Sequence, residues 1–378
     1  MRREPLLYLT YADIDPLIFE SQVLGFCDFI QNSYGIPMHI IVFEEPHQSA
    51  HIADYDSTVS IDRISVDTGW WRSSEAVSVV LEECMARDAS SLLSNDPRLV
   101  PICTAAQASE TPFFYHAIGS RYLELAEEDL ASPEWIQELK ALESNGFKQA
   151  DWIYASIEEL ILHFKDEAAY RDHNHSIMPL AALSESKGAQ PQLPAHFLEE
   201  ENTLFCYAGP IDTDTQLRAV LESFAAILKE PSYRLLILSK EIDQLDAFPF
   251  LKHTNCHKVS LSLAEAVPYM GLADYGLLLA KNNAHYTYAG SLAFSTYASM
   301  GTAVIISPEL KQLAAQVTKH QLGFLYAGRK TNDVLKGLTK KSTEQRALIK
   351  AEAKRLFDKT EASNQIKFRN LKRLHERV

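Results

Sequence analysis

The sequence predicts an α/β protein made of two doubly wound, Rossmann-like parallel-sheet domains and a helical C-terminal extension. Three observations carry that prediction. Short apolar runs of strand length alternate with helix-length segments along the whole chain, the mark of successive β-α-β units. A Ser/Gly/Gln/Pro stretch without apolar periodicity, 182–194, cuts that alternation in two. At 378 residues the chain is long enough for two domains that each bury a core. The expected division is 1–188 for the first domain, 195–340 for the second and 341–378 for the tail.

In the first domain Leu6–Thr10 reads as the opening strand, followed by a loop bearing Asp13 and Asp15 and a helix over Leu17–Tyr34. Gly35 and Pro37 turn the chain into a second strand, Met38–Phe43. Thr58–Val66 is expected as a strand, Ser74–Leu93 as a helix, and Leu99–Thr104 as a strand leading into an Ala105-Ala106-Gln107 loop. Two acidic helices follow, near Ser120–Asp129 and Pro133–Ser144. Asp151–Ala155 is a short strand and Ser156–Phe164 a helix, with Ser156 as N-cap and Glu158 and Glu159 where negative charge is favoured. Ser176–Pro179 is a strand edge.

The second domain opens with the strand Thr203–Ala208, ending at Gly209-Pro210, and the helix Thr215–Leu228. Arg234–Ser239 and His257–Leu261 are strands, and Leu263–Met270 a helix. Then comes the most informative stretch, Ala273–Ser307. It reads as a buried strand (Tyr275–Leu279), a polar loop (Lys281–Gly290), a helix (Ser291–Met300) and a second buried strand (Ala303–Ile306). A loop entering a helix N-terminus between two apolar strands is where doubly wound domains receive a phosphate, because first-turn N–H groups are unpaired and the helix dipole favours an anion. Lys311–Lys319 (helix), Gly323–Tyr326 (strand) and a helical tail over Thr343–Arg377, broken near Ser363-Asn364, complete the chain.

Composition bounds the function. Apolar residues at 46% and charged residues at 23% are normal for a globular enzyme. No run approaches the roughly 18–20 apolar residues that cross a bilayer, and MRREPLLYLTYADIDPL lacks a signal-peptide cleavage pattern. Five cysteines, never in CxxC spacing, are the usage of a reducing compartment, so a cytoplasmic protein with free thiols is expected. A formal net charge of −14 argues against a nucleic-acid partner. Lys340–Val378 runs the other way, with twelve Lys/Arg against five Asp/Glu. That basic tail either packs on the acidic body or meets an acidic protein partner or the inner face of an anionic membrane, where the protein would sit peripherally.

The chemistry-bearing motifs are mostly negative. No GxGxxG follows the first strand, so neither a nicotinamide nor a flavin cofactor is expected, and no GxxxxGK[ST] appears. His253-Thr254-Asn255-Cys256-His257 has no second ligand pair at zinc spacing, so no metal is expected. No Ser/His/Asp or Cys/His set has local support. The positive signals are positional. Gly209 either permits close backbone approach to a ligand or makes an ordinary strand-end turn. Arg218 and Lys240 either neutralise a diphosphate or face solvent. Gly290-Ser291 suits an anion, with Ser291 and Ser295 adding hydroxyl donors.

Taken together, these segments resemble the family-four glycosyltransferases of the two-Rossmann-domain (GT-B) architecture, over most of the chain. LLYLTYADIDPLIFESQV looks like their opening strand and acceptor-side loop, and ADWIYASIEELILHF with SIMPLAAL is similar to the segment closing their first domain. LFCYAGPI with LRAVLESFAAIL resembles the start of their nucleotide-binding domain. The most specific likeness is EAVPYMGLADYGLLLA followed by SLAFSTYASMGTAVIIS, in which the apolar spacing, Tyr297 and Gly301 coincide with the family pattern. In that pattern a Lys contacts the donor diphosphate and a Glu the ribose. Here Ser291 stands for the pattern's Pro, Ala293 for the Lys and Thr296 for the Glu, while Tyr288 replaces an earlier acidic residue and Ala280 a basic one. Ser295 and Tyr297 match a Ser/Thr-x-Tyr variant of the motif. The acceptor-side loop after Thr104 lacks the family's His or Asp-Arg-Gly, which leaves His116 as the nearest candidate for the donor sugar.

The resemblance implies a metal-independent, retaining transferase. It would move a hexose from a nucleoside-diphosphate sugar to a polysaccharide or glycoconjugate acceptor, with no cofactor beyond the donor. His116, Lys240 and Arg218 would serve catalysis, and Gly209, Tyr288, Gly290, Ser291, Ser295, Thr296 and Tyr297 would line the donor site. Losing the Lys removes a transition-state contact worth on the order of 3 kcal/mol. The alternative expectation is therefore a catalytically degenerate homologue that keeps the body as a scaffold, partner subunit or glycan-binding module.

Overall fold

A computed structural model describes residues 4–46, 57–127, 131–167, 174–178, 191–209, 226–240, 253–279, 291–327 and 338–356. The chain divides into two compact units, one within residues 1–180 and the other within 181–363. Each is built on a parallel sheet with helices packed on it, the doubly wound arrangement expected.

The first sheet holds β1 (Leu6–Tyr11), β2 (Met38–Glu44), β3 (Ser60–Ser65), β4 (Ser91–Ser94), β5 (Phe113–Ala117), β6 (Trp152–Ala155) and β7 (His175–Ile177). Their order is β3-β2-β1-β4-β5-β6-β7, and all pair in parallel. The central strands are apolar on both faces because helices cover both; all six residues of β1 are buried. The order reverses between β1 and β4, and a sheet of this kind opens its ligand crevice at the carboxyl ends there. After β1, Asp15 Oδ1 accepts the Ile18 N–H (3.2 Å). A helix then runs through Pro16–Ile18, a π-helical turn Phe19–Leu24, and Gly25–Tyr34, ending at Gly35 with φ 62°. It buries Phe19, Val23, Phe26 and Ile30 against the sheet.

Three expectations in this unit are corrected. The segment read as a strand, Leu99–Thr104, is helical: a turn Pro97–Leu99 leads into the helix Val100–Gln107. Its apolar run suits a strand equally well, but Pro101 belongs in a first helical turn, and Asp96 caps the entry by accepting the Arg98 N–H. The Ala105-Ala106-Gln107 loop is consequently the last turn of that helix. The strand in this part of the chain is β4, inside the range read as helix; that helix stops at Arg87, where Asp88 turns left-handed at φ 54°. Ser156 is not an N-cap either: the helix is Glu158–Glu167, and the Ser156 hydroxyl has no partner.

The second sheet holds β8 (Thr203–Ala208), β9 (Tyr233–Leu238), β10 (Cys256–Val259), β11 (Tyr275–Leu278), β12 (Ala303–Ile306) and β13 (Gly323–Leu325), in the order β10-β9-β8-β11-β12-β13. All pairings are parallel, and the reversal lies between β8 and β11. The helix Leu263–Leu272 starts in a reciprocal capping box between Ser262 and Glu265. At the amino edge of β11 the buried Asp274 accepts from the Leu204 and Lys341 N–H groups and from Arg346, each at 2.9 Å. Residues 338–356 return along this edge: Tyr233 Oη donates to Leu338 O (2.9 Å), and residues 343–356 are helical, burying Ile349 and Ala353. The rest of the expected tail, from 357, and most of the expected helix Thr215–Leu228 lie outside the described residues. Among the described residues no helix is long and apolar enough to cross a membrane.

Candidate functional site

The helix Leu292–Met300 connects β11 to β12 from the switch side of the second sheet. Ser291 is its N-cap: extended backbone (φ −134°, ψ 112°) turns the hydroxyl onto the Phe294 N–H at 3.2 Å. The helix ends at Gly301, whose φ of 77° is one that a side chain would strain. Between these ends Tyr297 fixes the helix to the sheet. Its ring lies so close to Gly276 of β11 that a Cβ there would come within 2.5 Å of it, and its hydroxyl donates to the Cys206 carbonyl of β8 at 2.9 Å. The two strands flanking the switch point and the helix that leaves it are thus joined through one side chain.

Ser295 and Thr296 turn inward. Both are buried, and both hydroxyls donate to the Leu292 carbonyl, at 3.0 and 2.7 Å. Their hydrogens are engaged within the helix. What remains at the carboxyl side of β11 is the helix N-terminus itself, Ser291 with the first-turn amides of Leu292 and Ala293, next to β8 and Gly209. The Gly209 N–H donates to Leu238 O (3.1 Å), and a Cβ on Gly209 would meet only Tyr207, at 3.4 Å or more. Packing within the unit therefore does not demand a glycine there. Lys240 is exposed beyond the end of β9, two strands from β11, or roughly 10 Å of sheet. Its neighbour is Glu265, whose carboxyl lies below the usual range through hydrogen bonds from Ser262, with the Lys240 charge adding to the effect. Arg218, Tyr288 and Gly290, like Ala280, lie outside the described residues.

His116 sits inside the first unit rather than at an open strand end. It is 4% exposed, its Nδ1 lies 2.8 Å from Tyr8 Oη, and the Phe26 ring packs 4.8 Å away. Burial lowers its pKa to about 3, so the ring is neutral. The sequence reading missed the ionic cluster at this unit's switch point. Arg98 Nη2 donates to Asp13 Oδ1 (2.5 Å) and Asp96 Oδ2 (2.6 Å), Nε donates to Asp96 Oδ1 (2.9 Å), and the guanidinium lies 3.9 Å over the Tyr11 ring. Burial opposes the charge, but the two carboxylates outweigh it and keep Arg98 protonated. The cluster joins the loops that follow β1 and β4. The adjacent Asp96-Pro97-Arg98 was a legible loop signal; that Asp13 completes it depends on strand order, which no local pattern displays. Among the described residues no three His, Cys, Asp or Glu side chains gather as metal ligands.

No protein-family model and no curated protein matches this sequence. Solved structures do. Anabaena Alr3699/HepE in complex with UDP and glucose is similar at a TM-score of 0.65 and 12% identity, over 98% of this chain and 100% of that one. WaaG, a glycosyltransferase involved in lipopolysaccharide biosynthesis, is similar at 0.60 and 12% identity, over 93% and 95% of the two chains. The sucrose-phosphate synthase of Thermosynechococcus elongatus is similar at 0.61 and 13%, over 98% and 99%. At these identities the likeness establishes the fold: two Rossmann-like domains of the GT-B type, along essentially the whole chain.

Proposed function

We propose that this chain is a hexosyltransferase, taking its donor as a nucleoside-diphosphate sugar at the second unit and passing the sugar to a polysaccharide or glycoconjugate acceptor at the first. The observation that carries the reading is the Ser291-capped helix N-terminus beside the β8–β11 switch point, in a fold that in HepE holds UDP and glucose. First-turn amides and the helix dipole would meet the diphosphate as its charge grows on departure of the sugar. Gly209 leaves room for the nucleotide to approach the backbone, and Arg218, Lys240, Tyr288 and Gly290 belong to the same proposed donor site. The reaction is proposed as retaining, without metal or cofactor, and the protein as cytoplasmic, with the basic tail as a contact for the membrane's inner face or a protein partner.

One observation favours the alternative, a catalytically degenerate homologue serving as scaffold, partner subunit or glycan-binding module. At the helix N-terminus Ala293 brings no charge, and the Ser295 and Thr296 hydroxyls face the Leu292 carbonyl. Thermal unfolding with UDP and GDP separates the two readings. A ligand at 100 times its Kd adds about 2.7 kcal/mol to stability, several degrees in Tm. A Tm that rises with millimolar UDP or GDP, together with release of UDP from UDP-glucose, is the expected result for the transferase. An unchanged Tm in a normally folded protein supports the non-catalytic body.

A further inference from the structure

A row of polar side chains crosses the first sheet near its carboxyl edge. Leu9 pairs with Ser94 and Ser94 with Tyr115. The next residues along, Thr10, Asn95 and His116, therefore lie side by side on β1, the end of β4, and β5. Side chains two apart on a strand share a face, so these three follow Tyr8, Leu93 and Phe114, which pack in one core with the helix after β1. That helix must run back against the strands, because β1 and β2 are parallel. Phe26 meets Tyr8 and His116 at 6.3 and 4.8 Å, which puts Gln22, one turn earlier, closer to the carboxyl ends and over the row. Gln22 belongs to the π-helical turn Phe19–Leu24, an irregularity that occurs often at functional sites.

Thr10 Oγ1, Gln22 Nε2 and Asn95 Oδ1 are closed off from solvent and have no hydrogen-bond partner in the protein. Thr10 is fully buried and Gln22 is 5% exposed. A protein interior ordinarily pairs such atoms, because leaving one unmade forfeits its hydration without return. Here three converge at the crevice where β1 and β4 part. Together they present an amide donor, a carbonyl acceptor and a hydroxyl that does either, and they carry no charge. His116 beside them already shares its Nδ1 with Tyr8. The ionised groups of this edge, Arg98, Asp13 and Asp96, bind one another beside Tyr11, on the opposite face of β1. A phosphate or carboxylate would find no cation here. An alcohol, which donates once and accepts twice, matches the set.

We propose that the first unit binds an uncharged, hydroxyl-bearing sugar ring at the carboxyl ends of β1 and β4, its hydroxyls held by Thr10, Gln22 and Asn95 beneath the π-helical turn. As the seat of an acceptor it rests on the transfer reading above; as a sugar site it involves the first unit alone. Saturation-transfer NMR on the full chain with glucose, galactose and mannose, and with glucuronate as the charged comparison, tests it. Transfer to at least one neutral sugar is expected, with glucuronate no stronger. The signal falls at least ten-fold in Thr10→Val and Gln22→Met and persists in Thr10→Ser. The Tm of Thr10→Val stays at or above that of the parent, since a methyl replaces an unpaired hydroxyl. No transfer to any neutral sugar, stronger transfer to glucuronate, or undiminished transfer in Thr10→Val overturns the proposal. So does a Thr10→Val protein that melts well below the parent, for the hydroxyl would then serve the fold through an internal water. Sugar binding without a UDP response defeats the transfer reading alone; a UDP response without sugar binding defeats this one alone.

Discussion

Glu143 shows how far one side chain can depart from its usual chemistry when the fold encloses it. It is 1% exposed, on the helix Pro133–Gln149, and its carboxylate accepts from Ser120 Oγ at 2.7 Å and the Tyr122 N–H at 3.0 Å. Burial pushes its pKa up to about 7, against the pull of those hydrogen bonds. The folded protein then holds a proton that the unfolded chain releases near pH 4.5. The resulting stabilisation is complete below pH 4.5 and is lost as the pH rises through about 7. Glu143→Gln should remove this slope, so that the stability difference between variant and parent changes by roughly 3 kcal/mol across the interval, read by urea unfolding at pH 4.5 and 7.5. A buried histidine tilts the other way: His116, neutral in the fold, loses its contribution as the pH falls below about 6.5. Neither effect was visible in the residue types, because a shift of this size comes from what surrounds the group.

The helix Leu292–Met300 is the element where reading and structure meet most closely. Its limits, its N-cap and the strands on either side, Tyr275–Leu278 and Ala303–Ile306, were all legible from a hydrophobic run broken by Ser291 and Gly301. Tyr297 and Gly301, the positions on which the family likeness leans, are packing positions here: one ties the helix to Gly276 and Cys206, the other turns the chain left-handed at its end. The likeness is strongest where it maintains the fold and weakest at Ala293 and Thr296, where it would perform chemistry. Ser291→Ala should cost about 1 kcal/mol through the lost cap. It should also reduce the Tm rise produced by UDP beyond that loss, a comparison made by thermal unfolding with and without nucleotide. The helix Val100–Gln107 is the opposite case. Val, Ile and Cys around a proline have no periodicity to separate strand from helix, and Ser91–Ser94 and Phe113–Ala117 are too short to stand out from their neighbours.

At the scale of the whole molecule, each sheet depends on chain from far along the sequence. Asp274 gathers the start of β8, the start of β11 and the segment 338–346 around one carboxylate, and Arg346 reaches from there to the Gly271 and Leu272 carbonyls as well. Asp274→Ala would strand a guanidinium that is 24% exposed and leave two buried N–H groups unpaired. A loss of about 3–5 kcal/mol in urea unfolding is expected.

By itself the sequence determined the class of fold, the count of two α/β units, the linker, and the helix whose N-terminus is offered to a phosphate. All of these follow from apolar periodicity and from Gly, Pro and Ser at turns, which act over a few neighbouring residues. Only the tertiary structure decided that His116 is enclosed beside Tyr8, that Arg98 holds Asp13 and Asp96 together, and that Thr10, Gln22 and Asn95 converge without partners. Those arrangements join residues tens of positions apart, and they exist because a parallel sheet places β4 against β1 across two intervening crossovers. Strand order is a global solution to burying every apolar face, so the polar groups it brings together cannot be read from any one stretch of chain.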